Sequence, residues 1–424
     1  MILSEGYLKY LVKEAILESI NEESNPVYNG KIKADNVNHI WEVIKKKQEE
    51  LYKYVFGELS EKIYDITEEK AKIMFKTMGK KYDFKQIPDR ICTAGNSKLP
   101  SNVLIINMSS SLMCPSYYLG ICTIENCACY AQRDENQYSG TDKEGVLTNR
   151  WKLDLMHTQM LQQFQHGNKT PLKKYFNLIE LYIQLGNAYS SNLLKDSIKK
   201  QEYKLGRSLN KVEIETLKRE HEKYKITDVR LNETGDFHCQ TAVKIWNDFA
   251  TKIKKKYGIR THAYTARHLD FSDVSKNMAI NASNKGVRLG EEVKPRFFIA
   301  VKEKEYDKIP EVKIGENFQP ILKIYNNKYY YKCPCGKDDT KCDLCGVCFS
   351  PNLTGKEYVI YARYHAKSAK GYKHLFTNKE IKGVMNKLNK NGWVTDDEFR
   401  RYNSSGNQRR LDDTSKNILA QRSK

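Results

Sequence analysis

The chain has 424 residues, of which 72 are Lys or Arg and 52 are Asp or Glu, and its formal net charge is +20. A chain of this length holds about two or three domains and buries a core without covalent help. It contains no uninterrupted apolar run of about 18 residues, as a membrane helix would need. We therefore expect a cytoplasmic protein with no membrane partner. Because its positive field attracts polyanions, we expect its partner to be nucleic acid or a nucleotide.

Cysteine is concentrated in two short windows. Nine of the 11 cysteines lie within residues 114–129 and 333–348, and only Cys92 and Cys239 stand apart. The disulfide framework of a secreted protein would be spread more evenly along the chain. Both windows therefore predict reduced thiolates that bind metal.

The first part of the chain has a helical pattern. Residues 4–82 repeat apolar residues at steps of three and four, which predicts a helical N-terminal region over residues 1–88. Beyond it, "NVLIINM" has the apolar, branched composition of a buried strand, with glycine and proline on either side. The first cysteine window, which begins at Cys114, is thus predicted to lie in a loop that follows a strand.

An α/β core is predicted over residues 89–310. Two amphipathic segments are followed by residues 195–225, which are so charged that they predict an exposed helical insertion. The segment "TDVRLNETGDFHCQTAVKIWNDFATKIKKKYG" then runs from a strand through a turn into a helix, and "IRTHAYTARHLDF" begins another strand. Strands that alternate with helices pair in parallel, so the residues at their carboxyl ends meet at one rim.

Two further regions complete the predicted organisation. Residues 311–365 are expected to form a cysteine-rich metal-binding module with closing strands. Residues 366–424 are expected to form a basic, partly helical and partly mobile tail, because from Lys367 onward the chain has 14 Lys and Arg against 6 Asp and Glu.

Several motifs occur in the order seen in one known family. They are "GNSKLP" at residues 95–100, a "CP…C…CYA" run, "RLNETGDF", "HAYTARH" and "CPCGKDDTKCDLCGVC". On these motifs the chain resembles the phage gene product 88 family over residues 90–365. That family's layout is similar to divergent radical S-adenosylmethionine enzymes, and a phage-encoded member would act in the host cytoplasm.

The resemblance implies a partial or full (β/α) barrel of the radical S-adenosylmethionine type, with a 4Fe–4S cluster after its first strand. Matching the family pattern assigns Cys114, Cys122 and Cys129 as cluster ligands, with Cys127 as a spare or a substitute. Three ligands leave one iron open for S-adenosylmethionine, whose cleavage needs an electron donor as a partner. From the residues alone, a closed tetrahedral zinc site and buried core thiols stay open as alternatives.

The turn "NETGDF" supplies candidate cofactor-binding residues. Gly235 allows a tight turn at the strand end, so that Asp236 can accept hydrogen bonds from the amino group of the cofactor. Asn232 and Glu233 are expected to face the same rim. The alternative is an ordinary β-turn in which Asp236 caps the helix that begins near His238.

The next predicted strand carries three more candidate cofactor-binding residues. His262 and Tyr264 alternate onto one face of this strand, and Arg267 lies near its end. An arginine there could hold a carboxylate or a phosphate bidentately. A sheet with one polar face is the alternative.

The second cysteine window supplies five candidate ligands, which are Cys333, Cys335, Cys342, Cys345 and Cys348. Its C-x2-C-x2-C spacing predicts a metal site in which four of the five ligate, because short turns aim successive thiolates at one ion. Zinc in a knuckle is favoured over a second iron–sulfur cluster. With the tyrosines at 329–331, the module could also bind single-stranded nucleic acid, and a rigid structural staple is the alternative.

Together these motifs predict a phage-type metalloenzyme that resembles radical S-adenosylmethionine proteins and acts on nucleic acid or a nucleotide. The alternative belongs to another class of protein. It is a non-catalytic zinc-binding protein that binds nucleic acid and in which both cysteine clusters are structural.

Overall fold

The structure is a computed structural model. It describes the residues in the following ranges: 37–57, 62–78, 91–96, 99–109, 113–119, 121, 144–222, 224–274, 278–283, 287, 289, 296–301, 303–314, 320–334, 345–350, 357–363 and 378–404.

The described chain contains ten helices and nine strands. The helices are α1 Val37–Val55, α2 Asp65–Met78, α3 Pro115–Tyr118, α4 Glu144–Gln165, α5 Thr170–Leu205, α6 Lys211–Glu222, α7 Gln240–Tyr257, α8 Glu303–Tyr306, α9 Asn378–Lys390 and α10 Asp396–Asn403. The strands are β1 Thr93–Ala94, β2 Val103–Ile106, β3 Asp228–Leu231, β4 Arg260–Thr265, β5 Met278–Ala282, β6 Arg296–Val301, β7 Lys323–Tyr325, β8 Lys328–Lys332 and β9 Tyr358–Arg363.

All nine strands form one sheet in the order β1-β2-β3-β4-β5-β6-β9-β8-β7. The strands from β2 to β6 pair in parallel in their chain order, and β9 continues the parallel pairing beside β6. Among the nine described strands, only the β1–β2 and β7–β8 pairs are antiparallel. The predicted α/β class and its parallel strands are therefore confirmed.

The predicted barrel would require the sheet to close on itself. Among the described strands, β1 lies at one end of the order and β7 at the other, and no pairing joins them. The sheet is therefore open, and a closed barrel is not shown. The strands at the two ends of the sheet, β1 and β7, pair antiparallel with their neighbours, so neither of them extends the parallel series.

The two faces of the sheet differ in polarity. Right-handed crossovers between consecutive parallel strands place the connecting segments on one face of the sheet. On that face, the core that includes α7 buries Val229, Leu231 and Ala263. Side chains alternate along a strand, so the residues between them point to the other face. We call this other face the polar face, because it carries Asp228, Arg230, Arg260, His262 and Tyr264.

One buried core joins the sheet to helices from both ends of the chain. Helix α1 packs on α5, and α2 packs on α4 and α9. Ile40 and Ile44 of α1 are in the same core cluster as residues of the sheet. In the described residues, no separate core marks the predicted boundary at residue 88.

The described part of the predicted basic tail is also folded into this core. Val384, Trp393 and Tyr402 are buried in the main cluster, although residues 378–404 hold 6 Lys and Arg against 4 Asp and Glu. The basic residues occupy the outer sides of α9 and α10, while the apolar residues recur at helical spacing and face inward. Residues 378–404 are thus a structural element and not an appendage, and residues 405–424 lie outside the described residues.

The charged segment at 195–225 lies on α5 and α6. The last buried residue of α5 is Ser190, and the helix continues from there to Leu205 with exposed or half-buried side chains. Tyr203 near its end is 92% exposed. Helix α6 returns along α5 and leads into β3.

Candidate functional site

Three sequence motifs meet at the carboxyl ends of neighbouring strands. The loop with Cys114 follows β2, the "NETGDF" turn follows β3, and the "ARH" residues at 266–268 follow β4. Because β2, β3 and β4 are adjacent and parallel, these loops lie at one rim of the sheet. The adjacency expected from the sequence is confirmed for the described parts of the three motifs.

Asp236 ties the three loops together. Its Oδ1 accepts hydrogen bonds from Thr265 Oγ1 at 2.7 Å and from the Phe237 amide at 2.8 Å. Its Oδ2 accepts from Ser116 Oγ at 2.6 Å and from the Ala266 amide at 2.8 Å. A carboxylate has about four acceptor positions, and protein donors take all of them. The carboxylate therefore orients the rim and has no acceptor position left for the amino group of a cofactor, so its predicted role changes from binding to positioning.

The turn before Asp236 depends on close backbone contacts. Gly235 has a φ of +84°, and a Cβ on it would lie 2.3 Å from Ser109 Oγ. The Met108 amide donates to the Thr234 carbonyl at 3.1 Å, and the Thr234 amide donates to Asn107 Oδ1 at 3.0 Å. Glycine is required here both for its conformation and for the space it leaves, and the β3 loop is thereby fixed against the β2 loop.

Three buried polar atoms at this rim have no hydrogen-bond partner among the described residues. They are Ser109 Oγ after β2, and Asn232 Oδ1 and Thr234 Oγ1 after β3. The Nδ2 group of Asn232 donates to the Tyr264 carbonyl at 3.3 Å. The side chain of Glu233, another predicted site residue, accepts a hydrogen bond from the side-chain amide of Asn96. Since buried polar groups are nearly always hydrogen-bonded, the rim has the character of a ligand-binding surface. Asn232 is one of the predicted cofactor-binding residues, whereas Ser109 and Thr234 are not.

The first cysteine window is only partly described. Cys114 is 6% exposed and lies directly before the short helix α3, whose Ser116 is bound to Asp236. Cys122, Cys127 and Cys129 lie outside the described residues. The structure thus places one predicted cluster ligand beside the carboxyl ends of β3 and β4.

Arg267 is fully engaged by the chain itself. Its Nε donates to Glu398 Oε1 at 2.7 Å and its Nη2 donates to Glu398 Oε2 at 2.9 Å. The remaining N–H groups donate to the Phe237, His238 and Trp393 carbonyls. The sequence predicted that Arg267 holds a carboxylate or a phosphate of a cofactor, whereas in the structure its bidentate partner is Glu398 of α10. The predicted cofactor-binding role for Arg267 is therefore replaced by a structural one, because all five donors are used.

Glu398 itself is held from several sides. It completes a capping box with Thr395, and its Oε1 also accepts from the His268 amide at 3.0 Å. Burial alone would raise the pKa of Glu398, but Arg267 outweighs this effect and keeps that pKa below its ordinary value. The C-terminal helix is thus locked to the end of β4 by an ionised pair.

His262 and Tyr264 lie on the polar face and not in the rim loops. The His262 ring packs against Phe349 with 4.2 Å between centroids, and Tyr264 meets Phe298 edge-to-face at 5.1 Å. His262 is fully buried, whereas Tyr264 is half-buried. Sequence alternation predicted that they share a face, and the structure agrees.

A buried charged network behind the rim was not predicted. Lys70 Nζ of α2 donates to both oxygens of Asp154 at 3.0 and 2.9 Å and to Thr158 Oγ1 at 3.0 Å. His238, two residues after Asp236, contacts Asp154 Oδ1 through Nε2 at 3.1 Å. Burial alone would raise the pKa of Asp154, and Lys70 outweighs it and lowers that pKa, while burial lowers the pKa of His238. An ionised pair with a neutral imidazole therefore supports the loop from behind.

A second histidine extends this support. His157 Nδ1 lies 3.1 Å from the Met108 carbonyl, which can only accept, so this nitrogen carries the proton. Nε2 then accepts from the Tyr175 hydroxyl at 2.7 Å. Burial lowers the pKa of His157 to about 3, so the ring is neutral. Asp154, Thr158 and Gln162 recur every four residues along α4, but other polar residues lie between them, so no distinct sequence signal marked this network.

The described cysteines of the second window lie together. The Tyr331 hydroxyl is 3.1 Å from Cys345 Sγ, and Cys333, Cys345 and Cys348 all help to raise its pKa, after burial as the main cause. Cys335 and Cys342 lie outside the described residues. Within the described ranges, no group of three or more His, Cys, Asp or Glu side chains is placed to hold a metal ion.

Segment 345–350 is docked on the polar face by a buried arginine. Arg296 Nη1 donates to the Val347 and Ser350 carbonyls at 2.6 and 3.0 Å, and Nη2 donates to the Cys348 carbonyl at 3.0 Å. Its Nε donates to Asn281 Oδ1 at 2.8 Å. The second cysteine window therefore packs against the sheet as part of the fold.

The cysteine sets fit metal by their chemistry. Thiolates are the preferred ligands of both zinc and iron–sulfur clusters, and Cys114, Cys333 and Cys345 are buried where water is excluded.

None of the described helices is long and apolar enough to cross a membrane. Comparisons with family models, with curated proteins and with solved structures find no match to this chain.

Proposed function

We propose that this chain is an iron–sulfur enzyme of the radical S-adenosylmethionine type that acts on nucleic acid or a nucleotide. The observation that carries the proposal is the position of Cys114, the one cysteine of the first window among the described residues. Cys114 follows the first parallel strand, and the Ser116–Asp236 hydrogen bond of 2.6 Å ties its loop to the ends of the next two strands.

The strand order supports a partial barrel of this type. In doubly wound sheets the strand order reverses at the ligand-binding crevice, whereas strands of a (β/α) barrel follow one another in chain order. Here β2, β3, β4, β5 and β6 are consecutive parallel neighbours. Such an order places loop after loop along one rim, which is where barrel enzymes bind their ligands.

Cys114, Cys122 and Cys129 would hold the cluster, with Cys127 as a substitute. The bound cluster and S-adenosylmethionine would supply one-electron chemistry, with an external electron donor. The chain would contribute the positioning: Asp236 fixes the cysteine loop, and Ser109 and Thr234 offer buried hydroxyls to a polar ligand.

The test is release of 5′-deoxyadenosine by anaerobically purified, dithionite-reduced protein. Wild type should release it, and Cys114→Ala should not, while both have the same melting temperature. Cys92→Ala is the matched control, because Cys92 is buried in the same core and lies outside both cysteine windows. Wild-type protein that contains iron and releases no 5′-deoxyadenosine would contradict the radical mechanism.

A second candidate function is favoured by the docking of segment 345–350. Because Arg296 binds three of its carbonyls, metal at this window would stabilise the fold without chemistry. If the first window is structural too, the chain is a zinc-binding protein that binds nucleic acid. Protein that contains zinc alone, after anaerobic reconstitution with iron and sulfide, would favour this candidate.

A further inference from the structure

The arm formed by the last part of α5 and by α6 ends in a strongly basic segment. We call residues 199–212 the arm tip, and they contain 5 Lys and Arg against 1 Glu, a formal charge of +4. That acid, Glu202, is engaged by the chain itself, because its Oε1 accepts a hydrogen bond from the Leu209 amide at 3.0 Å. Positive charge is therefore concentrated at the point where the helices of the arm reverse direction.

Most of this charge lacks an acidic partner. Arg207 pairs with Glu213 at an Nη2–Oε1 distance of 2.8 Å. The other basic side chains of the tip are exposed and form no ion pair or side-chain hydrogen bond with any described residue. They are Lys199, Lys200, Lys204 and Lys211. A group of uncompensated lysines on an exposed arm attracts a polyanion.

An exposed aromatic ring lies among these lysines. Tyr203 is 92% exposed, and within the described chain it makes no hydrogen bond and no ring contact. Lys199 and Lys200 lie four and three residues before it on α5, so they are its neighbours on the helix surface. Lys204 is a neighbour of Lys200 in the same way. The ring and the charges therefore form one surface.

Two aliphatic side chains add to the apolar part of the tip. Leu205 at the end of α5 is 50% exposed, and Val212 near the start of α6 is 75% exposed. With Tyr203, they make up three of the eight exposed large hydrophobic side chains of the described residues. Apolar exposure is thus grouped at the tip, as at an interaction site, and not scattered singly.

A single strand of nucleic acid matches this combination of groups. Unpaired bases of any identity stack on exposed aromatic rings, while lysines bind the phosphate backbone. A duplex keeps its bases stacked inside and would meet the lysines without using the ring of Tyr203. An acidic protein surface would likewise satisfy only the charge. The exposed ring therefore favours a strand whose bases are free.

The tip lies far from the rim of the sheet. Near the start of α5, Tyr175 bonds to His157, which in turn contacts the Met108 carbonyl after β2. At a rise of about 1.5 Å per residue, Tyr203 lies about 40 Å further along this helix. Helix α6 then leads to Asp228, the first residue of β3, whereas the rim is at the carboxyl ends of the strands. A ligand that reaches both the tip and the rim must therefore be a polymer.

We infer that the arm tip binds single-stranded nucleic acid, with Tyr203 stacked on a base and the lysines beside it at the phosphates. This surface stands on the exposure and charge of the arm, and only the role of the strand as substrate rests on the proposed function. In that role, the substrate is a polynucleotide and not a free nucleotide.

Fluorescence anisotropy of the full chain with a labelled single strand of about 20 nucleotides, as DNA and as RNA, tests the ring. Tyr203→Ala should weaken binding about fivefold or more, as expected for the loss of one stacked base. Tyr203→Phe is the matched control and should bind like wild type, because it keeps the ring. Both variants should keep the wild-type melting temperature, since Tyr203 is exposed.

The salt dependence of the same binding tests the lysines. For single strands, the slope of log K against log salt changes by about 0.7 for each phosphate contact. The triple variant Lys199→Gln, Lys200→Gln, Lys204→Gln should therefore flatten this slope by about 2. The ring of Tyr203 stays in place in this variant.

A second triple variant controls for net charge. Lys45→Gln, Lys47→Gln, Lys72→Gln removes the same charge from exposed lysines that pair with glutamates on their own helices, α1 and α2. It should leave the slope unchanged. An equal change of slope in the two triple variants, or wild-type affinity in Tyr203→Ala, would overturn the inference.

Competitors separate the alternative partners. A duplex with the same number of phosphates should bind more weakly than the single strand, and equal affinity would overturn the single-strand part of the inference. Displacement of the strand by poly-glutamate at equal charge would overturn the inference in favour of an acidic protein partner. These readouts need neither iron nor a reductant, so they succeed or fail independently of 5′-deoxyadenosine release.

Discussion

Replacement of Asp236 by Asn tests the hydrogen-bonded centre of the rim. Each carboxylate oxygen accepts from one backbone amide, Oδ1 from Phe237 and Oδ2 from Ala266. An Asn side chain has only one oxygen, so in either orientation one backbone N–H faces an NH₂ group. The substitution therefore cannot be absorbed by an amide flip, although the shape of the side chain is kept.

The cost follows from these contacts. A buried N–H left without an acceptor costs about 1–3 kcal/mol, and the remaining hydrogen bonds lose the contribution of a charged acceptor, about 1 kcal/mol. Burial raises the pKa of Asp236, so the neutral amide recovers part of the desolvation cost. We expect a loss of about 2–3 kcal/mol in the free energy of unfolding.

Urea denaturation of Asp236→Asn, followed by circular dichroism, measures this loss. The matched control is Ser116→Ala, which removes one hydroxyl donor from Oδ2 and leaves the Ala266 amide in place. It should cost about 1 kcal/mol. An Asp236→Asn protein within about 0.5 kcal/mol of wild type would refute the assignment of Asp236 as the centre of the rim.

Three further predictions concern the turn, the C-terminal helices and acid stability. Gly235→Ala should destabilise the fold by more than about 2 kcal/mol, whereas Gly167→Ala, which has a φ of +95° with no atom within 4 Å, should cost only about 1 kcal/mol. Deletion of residues 405–424, which hold 5 Lys and Arg against 2 Asp and Glu, should leave the melting temperature unchanged. It should also flatten the salt dependence of binding to single-stranded nucleic acid. Deletion of residues 378–424 should unfold the chain. The pKa of Glu398 is lowered in the folded state, so its contribution to the free energy of unfolding is present above its ordinary pKa of 4.5 and is lost as pH falls. Glu398→Gln should therefore flatten the acid side of a plot of stability against pH.

Much of the rim was predictable because its signals are local. A strand that ends in "NETGDF" and a cysteine loop after "NVLIINM" are readable from composition and turn residues, and parallel pairing then brings them together. The positive φ of Gly235 belongs to the same local signal. The adjacency of the loops followed from these short stretches.

The partners of buried charges were not predictable in this way. Arg267 looked like a ligand-binding arginine, and its carboxylate lies 131 residues further along the chain in a stretch whose composition indicated a mobile tail. Lys70 and Asp154 are 84 residues apart, on helices with ordinary amphipathic patterns. Such pairs depend on how helices pack, and composition does not reveal packing.

The central claim is tested most directly by the metal content of anaerobically purified protein, combined with electron paramagnetic resonance after reduction. The account predicts brown protein with about four irons at the first cysteine window and the resonance of a reduced 4Fe–4S cluster, both lost in Cys114→Ala and kept in Cys92→Ala. Colourless protein that holds only zinc, even after reconstitution with iron and sulfide, would contradict it.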